Sequence, residues 1–194
     1  MEITSEMVKA LREQTGISVM QCKAALVEAD GDVKKALLIL SKKSGSIAEK
    51  KGDRTLGAGT VSSYIHANKE VGSMIILRSE TDFVSKNEEF VALARELALQ
   101  VAASNPQYVR REDIPEDRLA DFKNLFVKEV EGKPENMKET ILAGKLDAYL
   151  KGVVLMEQPF IKDQEKTVRN LIENAIQKFG ERVEIEKFVR FSLK

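Results

Sequence analysis

The side chains that form covalent intermediates or bind transition metals are scarce in this sequence. Cys22 is its one cysteine and His66 its one histidine, and the two are far apart along the chain. A thiol nucleophile needs a neighbouring base, and zinc sites combine several cysteine or histidine ligands. The sequence therefore argues against a thiol enzyme, an internal disulfide and a zinc site. We expect Cys22 to be a small packing residue within a helix.

Two further patterns that suggest catalysis lack the context that catalysis needs. The segment Leu56-Gly57-Ala58-Gly59-Thr60 has the glycines of a phosphate-binding loop. Such a loop follows a strand, whereas this segment precedes a predicted strand and lacks a third glycine. The pairs Glu88-Glu89 and Glu112-Asp113 lie at predicted helix starts, where acidic residues suit the helix dipole. No acid, base and nucleophile come together, so we expect a protein that is not an enzyme and has no cofactor and no metal site.

The most unusual segment is Arg78-Ser79-Glu80-Thr81-Asp82-Phe83-Val84-Ser85-Lys86, in which an acid and a large aromatic residue stand side by side. It follows the apolar run Met74 to Leu77 and precedes a helical pattern. Because large apolar side chains are usually buried, Phe83 has two interpretations. It either folds back into the core or is displayed for a partner.

Three short helices are predicted within residues 1–41. Thr4 or Ser5, then Ser18, then Asp32 can cap them, and Gly16 and Gly31 can end the first two. Apolar residues follow helical spacing at Val8, Leu11, Ala25, Leu26, Val33, Ala36, Leu37 and Leu40. The result is a small three-helix module. Its basic residues are nearly matched by acids, and Arg12 is its one arginine, which favours protein docking over reading a DNA groove.

Residues 42–54 contain almost no apolar side chains and are predicted to be a linker, because they cannot offset their ordering entropy by burial. Residues 55–194 form the predicted core. Within it, Thr60 to His66 and Val71 to Ser79 have strand composition and form an antiparallel hairpin, and Val183 to Leu193 is a third strand. The fold class is therefore α+β, with a three-stranded antiparallel sheet covered by helices.

Four helices are predicted in the core. The first begins after Ser85 or Asn87 and ends at Asn105-Pro106, and the last runs from about Glu165 to Phe179. Between them, residues 116–151 have two amphipathic stripes separated by Gly132-Lys133-Pro134, which predicts a projecting antiparallel helical hairpin. Residues 153–161 are predicted to be extended.

The charges and apolar runs limit the cellular role. The chain has 194 residues, of which 31 are basic and 31 acidic, so it has no overall positive field that would gather nucleic acid. Its apolar runs are too short to cross a bilayer, and the acid in Met1-Glu2-Ile3-Thr4-Ser5-Glu6-Met7 is unlike a secretory signal. We therefore expect a cytoplasmic binding protein without direct contact to membrane or nucleic acid. A nucleic-acid-associated adaptor is the alternative.

Several motifs, in order along the whole chain, resemble those of the translation elongation factor Ts family. They are Leu11-Arg12, Thr15-Gly16, Met20-Gln21-Cys22-Lys23-Ala24-Ala25-Leu26, Gly31-Asp32, Thr81-Asp82-Phe83-Val84, Gln158-Pro159-Phe160 and Phe188-Val189-Arg190-Phe191. In that family the N-terminal module is similar to ubiquitin-associated domains. The resemblance implies a guanine-nucleotide exchange factor for elongation factor Tu, the GTPase that delivers aminoacyl-tRNA.

The resemblance also implies roles for particular residues. Thr81, Asp82, Phe83 and Val84 would form the segment that dislodges Mg²⁺ from the GTPase, with Asp82 and Phe83 at its tip. With this role in view, a displayed Phe83 is the preferred interpretation.

On the N-terminal module, Val19, Met20 and Lys23 would contact the nucleotide domain of the GTPase. The predicted hairpin would correspond to the coiled coil of the family. Longer members have two related halves in the core, whereas this chain has one, so the resemblance implies a short form in which a homodimer replaces the second half.

Overall fold

The computed structural model describes residues 3–130 and 134–193. Within these residues the α-helices are α1 (Ser5–Thr15), α2 (Val19–Glu28), α3 (Val33–Lys50), α4 (Asp82–Ser85), α5 (Glu88–Ser104), α6 (Glu116–Val127), α7 (Glu135–Val153) and α8 (Val168–Phe179). The strands are β1 (Ala58–Ile65), β2 (Val71–Ser79), β3 (Pro159–Phe160), β4 (Asp163–Thr167) and β5 (Val183–Ser192). Strands β1, β2 and β5 form an antiparallel sheet with β2 in the centre, and β3 pairs with β4. The predicted α+β class and three-stranded sheet are confirmed.

Two compact units make up the chain. The first contains residues 1–62, 76–94 and 169–186, and the second contains residues 63–75, 95–168 and 187–194. The division into a module (1–41), a linker (42–54) and a core (55–194) remains a prediction.

The predicted capping residues hold the three N-terminal helices. The side chains of Thr4, Ser18 and Asp32 accept hydrogen bonds from backbone N–H groups one turn on. Gly16 adopts the left-handed conformation at the end of α1 (φ +68°), which glycine tolerates without strain. Cys22 is fully buried in the shared core of these helices, as predicted for a packing residue.

The predicted end of the third helix is wrong, because α3 continues to Lys50 through residues that have few apolar side chains. Ser44 explains the extension. It is fully buried, its Oγ donates to the carbonyl of Leu40, and it also contacts the side-chain oxygen of Gln177 on α8. A small polar residue with satisfied hydrogen bonds can be buried as well as an apolar one, so composition alone misplaced the helix end.

The second unit contains the helical hairpin of α6 and α7. Phe122 and Phe126 on α6 both contact the Tyr149 ring on α7, with ring centroids 5.0 and 5.9 Å apart. Lys145 also pairs with Glu129, so the two helices run antiparallel as predicted. Gly132 and Lys133 of the predicted connection lie outside the described residues. The projection of the hairpin remains a prediction.

The prediction that residues 153–161 are extended is largely wrong. Val153 ends α7, and Leu155–Glu157 form a 3₁₀ turn before the short strand β3. The turn forms because the N–H groups of Leu155 and Met156 donate to the carbonyls of Tyr108 and Val109, at 2.8 and 3.1 Å. Val154, Leu155 and Met156 are therefore buried without belonging to a strand.

The start of α5 is anchored by Phe90, whose side chain is fully buried and contacts the Phe179 ring edge-on at 5.9 Å. We expect Phe90→Ala to lower the free energy of unfolding by about 3–5 kcal/mol, because it removes a large buried ring and leaves a cavity. Val91→Ala, at the exposed neighbouring position, is the control and should change it by less than about 0.5 kcal/mol. Denaturant unfolding measures both, and equal effects would contradict the anchoring role of Phe90.

Candidate functional site

The segment Thr81 to Val84 forms a tight turn between β2 and α5. Thr81 is extended (φ −122°, ψ 158°), and the next four residues form the single turn of α4. A backbone hydrogen bond closes the turn: the N–H of Ser85 donates to the carbonyl of Thr81 at 3.2 Å. At the end of β2, Ser79 Oγ donates to the same carbonyl at 2.9 Å. The segment between β2 and α5 is therefore a short, hydrogen-bonded helix.

Neighbouring side chains of this turn differ sharply in their exposure to solvent. Phe83 is 84% exposed and the Asp82 side chain is 74% exposed, whereas Val84 is only 4% exposed. The prediction that Phe83 is displayed is thus confirmed, although its role remains a prediction. Val84 belongs to the same motif, but its side chain is buried and anchors the turn. The exposed surface of the turn therefore consists of Asp82 and Phe83.

Asp82 is charged at neutral pH. Lys86 Nζ lies 2.7 Å from Asp82 Oδ2, one helical turn along the chain. This hydrogen bond and the positive charge hold the pKa of Asp82 below its ordinary value of 3.8. The exposed surface of the turn therefore combines a carboxylate with an aromatic ring.

Thr81 is held by the segment between α8 and β5. The N–H of Thr81 donates to Glu181 Oε2 at 3.0 Å, and its hydroxyl donates to Glu181 Oε1 at 2.6 Å. Both oxygens of one carboxylate thus hold the residue that precedes α4. The first unit contains both residues.

An ionic network lies next to this contact. Arg54 Nη1 is 3.1 Å from Glu80 Oε2, the backbone N–H of Arg182 donates to Glu80 Oε1, and Arg182 Nη1 donates to the carbonyl of Arg54 at 2.6 Å. Burial alone would raise the pKa of Glu80, but the hydrogen bonds from Arg182 and Arg54 outweigh it and lower that pKa from its ordinary 4.5. The strand end before Thr81 is therefore fixed by charge as well as by pairing.

The helix after the turn is capped by Asn87, one of the two predicted possibilities. Asn87 Oδ1 accepts a hydrogen bond from the N–H of Glu89 at 2.9 Å, whereas Ser85 Oγ donates to the carbonyl of Asp82. The cap fixes the direction of α5 immediately after the exposed residues. The turn is consequently held at both of its ends.

The predicted contact residues of the N-terminal module lie on α2 and face solvent. Val19 is 50% and Met20 82% exposed, and Lys23 is also exposed. Met20 and Lys23 line a shallow, mainly apolar groove together with Val27. Nearby, Gln177 Nε2 on α8 donates to Gln21 Oε1 at 3.1 Å, so α2 is tied to α8 within the first unit.

The two predicted groups of site residues lie on different elements, one on α2 and the other at Thr81 and α4. Among the residues that the structure describes, no hydrogen bond or ion pair joins Val19, Met20 or Lys23 to the segment Thr81 to Val84. Glu181 and Arg182 were missed by the sequence analysis. They lie about 100 residues beyond the motif, and no local periodicity connects them to it.

Neither a metal site nor a membrane span is found in the described part of the chain. Residues 3–130 and 134–193 contain no group of three or more histidine, cysteine, aspartate or glutamate side chains placed to bind a metal ion. None of their helices combines the length and the apolar character that crossing a bilayer requires.

Comparison with known proteins places these features in a family. A family model described as Elongation factor TS matches residues 1–194. The chain belongs to the elongation factor Ts family. It is 45% identical to Elongation factor Ts of Thermodesulfovibrio yellowstonii over 194 residues, which cover 100% of this chain and 97% of the relative. It is 44% identical to Elongation factor Ts of Thermotoga petrophila over 193 residues, with 100% and 97% covered, and 45% identical to that of Carboxydothermus hydrogenoformans over 193 residues, with 98% and 89% covered.

These relatives are of nearly the same length as this chain, so the elongation factor Ts architecture extends over the whole sequence. The membership makes this chain a translation elongation factor. It also confirms the resemblance inferred from the separate motifs.

We expect the stability contributed by Glu80 to depend on pH. Because the pKa of Glu80 is lower in the folded than in the unfolded chain, its carboxylate favours folding fully above the ordinary pKa of 4.5. That contribution is lost as the pH falls through the folded-state pKa. Glu80→Gln should therefore reduce the free energy of unfolding at pH 7, and the difference from the wild type should shrink towards pH 3.

Denaturant unfolding at several pH values measures this difference. Glu139→Gln, at an exposed position on α7, is the control and should change the free energy of unfolding by less than about 0.5 kcal/mol. A difference for Glu80→Gln that stays constant from pH 7 to pH 3 would contradict the ionic role of Glu80.

Proposed function

We propose that this elongation factor Ts family member is a guanine-nucleotide exchange factor for elongation factor Tu in the cytoplasm, and that it promotes GDP release without making or breaking a bond. The observation that carries the proposal is the exposed Phe83, presented beside the charged Asp82 on a turn that is hydrogen-bonded at both ends. A rigid element that displays a large apolar side chain to solvent suits insertion into a partner.

The proposed target of this turn is the Mg²⁺ site of the GTPase. Mg²⁺ requires near-ideal octahedral geometry and bridges the protein to the nucleotide phosphates. Phe83 would displace the loops that support the ion, and the carboxylate of Asp82 would add a negative charge near the phosphates. A small displacement of those loops would weaken the hold on both Mg²⁺ and GDP.

Binding energy explains how such a wedge acts. The exchange factor binds the nucleotide-free GTPase more tightly than the GDP-bound form. It must therefore lower the affinity of the GTPase for GDP, and GDP must lower the affinity of the GTPase for the exchange factor by the same ratio. Each tenfold change in affinity corresponds to about 1.4 kcal/mol. Interactions made by Phe83 only in the nucleotide-free complex would supply part of that coupling.

The N-terminal module supplies a second proposed contact. Val19, Met20 and Lys23 offer two exposed apolar side chains and one positive charge on α2. In this proposal they bind the nucleotide domain of the GTPase, so that the module and the Phe83 turn bind one partner at two places. Two linked contacts bind more tightly than either alone, because the second contact is made at a high effective concentration.

We expect this protein to accelerate the release of a fluorescent GDP analogue from elongation factor Tu. Phe83→Ala should lower that acceleration by about tenfold or more, which corresponds to about 1.4 kcal/mol of lost coupling free energy. The fold should be retained, because an exposed side chain contributes less than about 0.5 kcal/mol to stability. Stopped-flow fluorescence measures release, and thermal unfolding measures the fold.

Leu38→Ala is the matched control, since Leu38 is 64% exposed on α3, outside the proposed contacts. It should leave release unchanged. Unchanged release with the wild-type protein would refute the exchange function, whereas full activity of Phe83→Ala would refute only the role of the wedge. Strong, salt-sensitive binding of RNA or DNA would instead favour the nucleic-acid-associated adaptor.

We also propose that two copies of the chain pair through the open sheet face, which we define as the outward side chains of Ile65, Met74, Val189, Phe191 and Leu193. The hydrogen bonds from His66 N to Val71 O and from Leu193 N to Glu70 O set the register of the three strands. In that register Ile65 and Phe191 flank Gly72 on β2, and Val189 lies beside Met74.

The open sheet face suits a second copy of the same chain. All five side chains are apolar and exposed, and Phe191 and Leu193 are 73% and 82% exposed. A cluster of exposed apolar side chains can be self-complementary, and two such sheets pack about 10 Å apart in a twofold dimer. The chain is also of the short form, in which a second copy would supply the missing half of the core.

Light scattering at concentrations well above those of the exchange assay should give about twice the chain mass of 21.7 kDa. Phe191→Glu should give a monomer, because two buried carboxylates would face each other without partners. Leu125→Glu, which places the same charge at an exposed position on α6, is the control and should remain dimeric. A monomeric wild type would refute the dimer and leave the exchange proposal intact.

A further inference from the structure

The contact between Glu181 and Thr81 identifies a residue that acts on the exposed turn from a distance in sequence. We propose that Glu181 is the positioning residue of the turn: its carboxylate holds Thr81 and thereby fixes the direction in which Phe83 is displayed. This inference rests on the proposed exchange function. Glu181 need not touch the partner, because its effect passes through Thr81.

Helix α4 has no side-chain cap of its own. A threonine in the position before a helix usually accepts a hydrogen bond from an N–H group in the first turn. Thr81 makes no such bond, and its hydroxyl donates to Glu181 Oε1 at 2.6 Å. A helix of four residues is far too short to be stable alone, so it depends on this external contact.

Glu181 is itself fixed through the residues on both sides of it. Gly180, which adopts φ +70°, closes α8 through a 3.0 Å hydrogen bond from its N–H to the carbonyl of Ile176. Lys51 Nζ donates to the carbonyl of Gly180 at 2.5 Å, and the N–H of Arg182 donates to Glu80. The carboxylate is therefore presented from a rigid connection, which is what a positioning residue requires.

Only a carboxylate at position 181 can accept both hydrogen bonds from Thr81 in this geometry. Thr81 offers two donors, the N–H and the hydroxyl, and Glu181 accepts one with each oxygen. A glutamine in this position has one acceptor oxygen and one donor NH₂ group, so it can satisfy only one of the two donors in the same geometry. Removing the charge alone should consequently loosen the turn.

The experiment measures acceleration of GDP release from elongation factor Tu by the full chain. We expect Glu181→Gln and Thr81→Val each to lower it by about three- to tenfold, the range for one lost hydrogen bond. Thr81→Ser, which keeps the hydroxyl, should recover activity relative to Thr81→Val. Glu186→Gln is the matched control, because Glu186 faces Arg78 and not the turn, and it should leave release unchanged.

A double-mutant cycle separates positioning from general stability. In the Phe83→Ala background, Glu181→Gln should have little further effect, because the side chain that it positions is gone. An equal loss in both backgrounds, or wild-type activity of Glu181→Gln, would overturn the inference. If Glu181→Gln fails to fold, the same cycle with Thr81→Val decides. If the wild-type protein does not accelerate release, the exchange proposal itself fails.

Discussion

An exposed aromatic side chain has a defined direction only when the backbone beneath it is held from elsewhere. Phe83 gains little from burial, so the turn that carries it depends on Val84, which is buried, and on Thr81, which is hydrogen-bonded to Glu181. The central strand β2 and the capped helix α5 then set the two ends of the turn. Glu181, β2 and the start of α5 can thus be understood as support for these few residues.

The charged groups around the turn have a different task from the apolar core. Core residues such as Phe90 determine whether the unit folds, whereas Glu80, Arg54 and Arg182 determine how the strand end lies relative to the neighbouring chain segments. The exposed part of such a network contributes little net stability. Because Glu80 also accepts the backbone N–H of Arg182, the network joins chain segments in a fixed orientation as well as contributing to stability.

The sequence was sufficient to predict the elements that depend on local chemistry. Thr4, Ser18 and Asp32 have side chains suited to the helix starts they occupy, and β1 and β2 have the β-branched, aromatic and apolar composition of strands. Predictions failed where a distant residue decided the outcome. Ser44 is buried only because Gln177 on α8 provides a partner, so the extension of α3 could not be read from residues 42–50 alone. The role of Glu181 was missed for the same reason.

The separation of Thr81 and Glu181 along the chain has a consequence during protein synthesis. A nascent chain that already contains Phe83 still lacks the carboxylate that holds the turn, and it also lacks β5, the partner of the central strand β2. Pairing between residues so far apart along the chain is slow, because the entropy of loop closure is lost before the stabilising contacts form. The exposed turn would thus be organised only after residue 181 has left the ribosome and β5 has joined the sheet, so an incomplete chain would not compete for the proposed partner.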